Sequence, residues 1–252
     1  MGETAPTRTT ATCECGLEIR ADDHEALVAS VVEHFDREHA EWQVGEQGVR
    51  NYLDALDRLT GPTQRLDIIG TVEVHAVEPG KITDVLRFFD HDVFADNAGW
   101  ASCYCMFHHV DAGWPERSAR QNRSDLDARL QSGTTTGLVA SVDGRLAGWC
   151  NASFRSAYPA HRSGSPDDDQ IAAIVCFAVA PPYRGHGVAR RLVDGAIERV
   201  LSLGATAVEA YPVRDPSNAA AAYHGTVDMF TAAGFAVVSE DEHGIVMRKA
   251  LS

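Results

Sequence analysis

The stretch IVCFAVAPPYRGHGVARRLVDGAIERVLSLG, residues 174–204, constrains this chain more than any other. Ile174 to Val179 is a short apolar run, rich in β-branched and aromatic side chains and followed by Pro181 and Pro182, which reads as a buried strand. Beyond a glycine turn, Val188, Leu192, Ala196, Val200 and Leu203 recur at helical spacing, with Arg190, Arg191, Asp194, Glu198, Arg199 and Ser202 between them. Gly204 is placed to end that helix in the left-handed conformation. A strand, a glycine-rich turn and a helix in that order converge unpaired backbone N–H groups and the positive end of a helix dipole on one point, where an anion binds. Gly185 and Gly187 let the backbone approach a phosphate, and Arg184 can add a charge-assisted contact. A tight connection that binds nothing would show the same G-x-G.

Two familiar phosphate signatures fail here. A dinucleotide fingerprint needs a further glycine where Ala189 and Arg190 stand, and a P-loop needs GK[ST]. What fits is R-x-x-G-x-A, Arg184 to Ala189, preceded by V-A-P-P-Y. This closely resembles the coenzyme A pyrophosphate motif of the GNAT superfamily of N-acetyltransferases, and the MFTAAGF segment from Met229 to Phe235 adds to the likeness. The resemblance implies an α/β protein with the GNAT acyl-CoA N-acyltransferase fold and a central mixed sheet over about residues 68–251. It implies acetyl-CoA as cosubstrate, with Arg184, Gly185, His186, Gly187, Val188 and Ala189 around the pyrophosphate. Backbone groups of Phe177, Ala178 and Val179 would hold the pantetheine arm beside a second strand, Ala207 to Tyr211. Asn218 resembles an asparagine often found near the cofactor.

The remaining elements are read from periodicity and punctuation. Val72 to Val77 is a strand, Ile82 to Phe89 a helix, and Arg117 to Gln131 a polar helix. Gly137 to Val142 and Leu146 to Ala152 flank Asp143-Gly144, a hairpin signal. Residues 155–169 read as a long flexible loop. Tyr223 to Ala233 is expected to be helical, and Phe235 to Val238 with Gly244 to Arg248 to close the sheet as a hairpin.

Acetyl transfer needs a neutral amine beside the thioester, a path for its proton, a polarising group and an acid for the departing thiolate. By the resemblance, a tyrosine four residues before the Gly-Phe of MFTAAGF often supplies the acid, but Phe230 stands there. A glutamate frequent on the cofactor strand would fall on Ala173. The replacement candidates are Tyr223 as acid, provided the helix breaks near Gly225, and Glu209 or the Asp167-Asp168-Asp169 run as base. Against these roles, Glu209 would be a solvent-facing strand residue and the aspartates a solvated loop. Cys103-Tyr104-Cys105 with His108 and His109 lies where the acceptor site is built, and reads as core packing, an aromatic wall or a second metal site.

The 252 residues carry a net charge of −14, which disfavours nucleic acid and anionic membranes and is compatible with a cationic substrate. No apolar run is long enough for a bilayer, so a cytoplasmic protein with reduced thiols is expected. Residues 1–61 hold thirteen acidic side chains against five arginines. Within them Cys13-x-Cys15 precedes a helix capped by Asp22 or Asp23, and His34 and His39 lie at its far end. These four can converge on one tetrahedral Zn²⁺, as in small ββα fingers; a helical hairpin with two buried cysteines is the alternative. The segment resembles small predicted metal-binding modules with the same CxCG start. A second helix, about Glu46 to Leu59, completes it.

The chain thus divides into an acidic, zinc-finger-like module (1–61), a linker (62–67) and a GNAT domain (68–252). The expected activity is acetyl transfer from acetyl-CoA to a primary amine by direct attack, the acceptor being a cationic small molecule. A non-catalytic acyl-CoA sensor and a protein acetyltransferase recruiting its target through the N-terminal module are the rival readings. The partners implied are coenzyme A and the amine, with a homodimer as a compatible assembly and neither nucleic acid nor membrane.

Overall fold

The structure, a computed structural model, describes residues 7–13, 15–134, 137–214, 221–242 and 244–251. Strands β1 (Thr10–Thr12) and β2 (Glu18–Arg20) form an antiparallel hairpin with Thr10 opposite Arg20. Helix α1 (His24–Glu38) follows, and of the two candidate caps it is Asp23 that accepts the Ala26 N–H, at 2.8 Å. Its stripe of Leu27, Val28, Val31 and Phe35 packs on Val49 and Leu53 of α2 (Glu46–Arg58), with Ala11 and Cys13 beneath. This is a small core, and chains that short usually need a metal or another staple to stay folded.

The rest is one seven-stranded sheet with a layer on each face. In chain order come β3 (Val72–Ala76), α3 (Ile82–Arg87) continued by a wider turn at Phe88–Asp92, α4 (Ala119–Ser132), β4 (Leu138–Val142) and β5 (Arg145–Phe154). Then follow β6 (Ile171–Val179), α5 (Val188–Ser202), β7 (Ala207–Ala210), α6 (Val227–Ala232), β8 (Ala236–Asp241) and β9 (Gly244–Ala250). The strand order is β3-β4-β5-β6-β7-β9-β8, and only the β6–β7 pair is parallel. Helix α4 begins two residues later than periodicity suggests, because Ser118 caps it in a reciprocal box with Gln121.

Two irregularities on β6 shape the site. Asn151 pairs with Cys176 but Ala152 with Ile174, so Val175 is an extra residue, a bulge. It inverts the alternation of side chains. Ala172, Ile174 and Phe177 pack in the layer of α5, with Leu192 and Ala196, whereas Ala173, Val175, Cys176 and Ala178 face the other layer, with Phe89 and Tyr104. The second irregularity is the end of the parallel pairing, which runs only from Ile171–Ala207 to Ile174–Ala210. Beyond it, Val175 to Val179 has β5 on one side and no strand on the other among the described residues.

Two expectations change. Tyr223 to Ala233 is not one helix: Ala221–His224 makes a single tight turn, Gly225 at φ +78° breaks the path, and Thr226 caps α6. Residues 155–169 are less loop-like than their composition suggests. Turns at Arg155–Ala157 and Pro166–Asp169 are tied together by an Arg155–Asp168 ion pair of 2.6 Å. Among the described residues, no helix is long and apolar enough to cross a membrane.

Candidate functional site

The gap beside β6 opens into a cavity of about 950 Å³. One wall is Cys176, Phe177, Ala178 and Val179, continuing into Gly185, Gly187, Val188 and Ala189. The turn owes its shape to Gly185 and Gly187, both left-handed at φ +76° and +78°. No side chain caps α5, so its first-turn N–H groups face the cavity end without an intrahelical partner. Among the described residues, those expected to hold the pantetheine and pyrophosphate are thus brought to one wall, apart from His186.

Arg184 lines the cavity but is already engaged. Its Nε donates to Val179 O at 2.9 Å and its Nη groups grip Asp96 at 2.5 and 3.0 Å. The charge expected to reach a phosphate is therefore already offset by Asp96, and Arg184 staples that loop to the end of the cofactor strand. His186 instead turns its Nε2 to Leu66 O, 2.8 Å away, and does not line the cavity. Asn218 lies outside the described residues.

At the chemical end, Phe230 is fully buried against Phe177 and Phe235 and has no proton to offer. Tyr223 does reach the cavity, because the break at Gly225 frees its turn from α6. It packs on Trp100 and His224, and burial raises its phenol above the ordinary value, keeping it protonated.

Glu209 is neither solvent-facing nor on the cavity wall. At 3% exposure its carboxylate takes Arg155 Nη1 at 3.2 and 3.3 Å, Arg248 at 2.5 and 3.0 Å, and the Tyr211 hydroxyl at 3.0 Å. Asp168 is likewise no solvated loop residue. It is 5% exposed, pairs with Arg155 and accepts the N–H groups of Ser163 and Gly164.

Sequence reasoning names His108 but misses its pairing with a second imidazole, His161. His108 lines the cavity at 3% exposure, its Nδ1 is 3.1 Å from His161 Nε2, and its buried Nε2 has no hydrogen-bond partner among the described residues. Burial first, then the neighbouring His161 and His224, lowers His108 to about 3, and burial lowers His161 to about 4. Both are neutral at physiological pH. If His108 Nε2 carries the lone pair, Nδ1 carries the proton and donates to His161. The only signal in the sequence is HH in an aromatic loop, and His161 stands 53 residues away.

The Cys-x-Cys of this loop divides between the expected roles. Tyr104 is core, donating its hydroxyl to Asp90 at 2.8 Å, while Cys103 and Cys105 line the cavity. Asn151 Nδ2 donates to Cys105 Sγ at 3.5 Å. Tyr104 and Cys105 are both left-handed, at φ +46° and +57°, an uncommon conformation for such residues. Among the described residues no second metal-type cluster forms here.

The sequence model of the acetyltransferase (GNAT) family matches residues 101–229, just over half of the chain. The chain belongs to the GNAT acetyltransferase family. No curated protein matches the sequence. Among solved structures, this GNAT protein is similar to yncA from Salmonella typhimurium with its cofactor acetyl-CoA, at 16% identity and a TM-score of 0.46, over 72% of this chain and 94% of that one. It is similar to a GCN5-related N-acetyltransferase from Kribbella flavida at 22% identity and 0.44, over 71% and 98%. It is similar to ribosomal-protein-alanine N-acetyltransferase from Brucella melitensis at 17% and 0.44, over 71% and 99%.

Outside the matched residues this GNAT chain carries a second constellation. Cys13, Cys15, His34 and His39 each place one ligand atom within 4.8 Å of the other three. Cys13 Sγ is 3.4 Å from His39 Nε2, and Cys15 Sγ is 3.5 Å from His34 Nε2. A tetrahedron with Zn–S near 2.3 Å and Zn–N of 2.0–2.1 Å has an S···N edge of about 3.5 Å. The set therefore fits zinc in both chemistry and size. Trp42 stacks on the His39 ring at 4.0 Å and 10°, fixing its plane.

The module is also joined to the acceptor-side loop. The Asn51 amide of α2 donates to Arg117 O at 2.9 Å and accepts the Ala119 N–H at 3.0 Å. Arg58 donates to Asp90 O at 2.9 Å.

Proposed function

We propose that this GNAT protein transfers the acetyl group of acetyl-CoA to a small primary amine by direct attack. The observation that carries this reading is the coincidence of two features in one cavity: the parting of β6 from β7, and the uncapped glycine turn that begins α5. The pantetheine would run along Phe177 to Val179, with the diphosphate at Gly185 to Ala189. The acceptor would enter between the turn and the aromatic wall of Phe107, Trp114 and Tyr223.

An amine that is a cation in solution suits that wall, because ring faces attract ammonium groups. The aspartate run gives such an acceptor no support, since Asp168 is committed to Arg155, and Asp96 on the wall to Arg184. An amine with an apolar or aromatic body fits better than a polycation. It attacks in its neutral form: the C–N bond forms, the C–S bond breaks, the amine proton passes to the His108–His161 pair, and Tyr223 gives one to the departing sulfur. Glu209 holds Arg155 and Tyr211 in place and does not touch substrate.

In the same reading Cys13, Cys15, His34 and His39 hold one structural Zn²⁺ that stabilises the module of residues 1–61, joined by residues 62–67 to the GNAT domain. The six free thiols suit a reducing cytoplasm. The test is release of free thiol from acetyl-CoA with a panel of primary amines, including arylalkyl amines and polyamines. Turnover with the first group and not the second supports the reading. Coenzyme A binding without turnover on any amine overturns it in favour of an acyl-CoA sensor.

A further inference from the structure

Arg184 is neutralised by Asp96; Arg190 lines the cavity at the first turn of α5, and the structure offers a further cation from outside the family match. A Cβ built on Gly185 would lie 2.9 Å from Cζ and Nη2 of Arg65 and 3.3 Å from its Nη1. The guanidinium is therefore laid over the glycine turn, where a side chain at position 185 would otherwise be. Arg65 is exposed and forms no ion pair among the described residues, in contrast to Arg184. Its position is not accidental to a loose tail. Leu66 N–H donates to Pro182 O at 3.0 Å, and Leu66 O faces His186 Nε2 at 2.8 Å, so the segment is pinned on both sides of the turn.

We infer that Arg65, from the segment between the N-terminal module and the first strand of the sheet, is a cofactor-binding residue that pairs with the diphosphate of acetyl-CoA. The inference rests on the proposed coenzyme A site. A free guanidinium with several N–H donors beside uncapped amides gives a phosphate both charge and geometry. It also explains the orientation of His186, which serves the segment that carries Arg65 rather than the phosphate.

The test is calorimetric titration of the full chain with coenzyme A and with pantetheine, which lacks the diphosphate. Arg65→Ala should weaken coenzyme A by about tenfold, as expected for loss of one charge-assisted contact at a solvent-open site, with Arg65→Lys in between and an unchanged melting temperature. Pantetheine binding should not change. The salt dependence of coenzyme A binding should also become shallower in Arg65→Ala. Equal coenzyme A affinity for wild type and Arg65→Ala, or an equal loss for both ligands, overturns the inference while the cofactor site stands. A wild-type chain that does not bind coenzyme A overturns the site itself.

Discussion

Glu209→Gln separates a structural carboxylate from a catalytic one. The wild-type side chain accepts from Arg155, Arg248 and Tyr211. Glutamine removes the charge and turns one acceptor oxygen into an NH₂ group facing those donors. Breaking a buried ion pair by altering one partner costs about 3–5 kcal/mol. The lower end applies here, because the Arg155 side chain, 10% exposed, keeps Asp168, and the Arg248 side chain, 42% exposed, can be rehydrated. A loss of about 3 kcal/mol corresponds to a fall of about 6–12 °C in melting temperature for a chain of this size. Thermal denaturation followed by circular dichroism measures it, paired with turnover well below the transition, where kcat should stay within about threefold. A melting temperature unchanged to within about 2 °C, together with a hundredfold loss of turnover, would refute this reasoning and make Glu209 the base.

The remaining expectations are narrower. Tyr223→Phe should lower kcat by about 10–100-fold with little change in coenzyme A affinity, whereas Phe230→Tyr should restore nothing and cost about 1–3 kcal/mol by burying a hydroxyl with no partner; steady-state kinetics and melting curves check both. Stability should be level above about pH 7 and fall as pH drops through 6.5, because His108 at about 3, His109 at about 4 and His161 at about 4 stay neutral in the fold while the unfolded chain takes up protons. By pH 5 each contributes a loss on the order of 2 kcal/mol, and denaturant titrations at pH 7 and pH 5 read the sum. Metal analysis of the full chain should find one zinc, and Cys13→Ser should lose it and melt earlier; an intact melting temperature without metal would reject a structural ion.

What was legible in the sequence is what local rules write. The apolar run before Pro181 became β6, the period-four series from Val188 became α5, and Phe230 was seen to lack a proton. The convergence of Cys13, Cys15, His34 and His39 was legible because two thiols just before a helix and two imidazoles at its far end can meet when the strands fold back on that helix. What was hidden depends on partners far apart in the chain. Arg184 meets Asp96 from 88 residues away, and Arg155 meets Glu209 from 54, so neither neutralisation could be read from composition. The place of Arg65 depends on the path of a segment outside any helix or strand, which no periodicity encodes. A helix break near Gly225 is the condition for Tyr223 to reach the cavity, and the chain meets it.

The extra residue at Val175 sets a limit on how such a protein can be altered. Straightening β6 there without removing a residue would restore strict alternation, moving Cys176 and Ala178 to the α5 layer and Phe177 to the opposite one, and so exchange the faces of the strand beyond the bulge. In the proposed reading, retuning which amine is accepted is a task for the loop carrying Phe107 and Trp114, which can change residue by residue without shifting the phase of the strand.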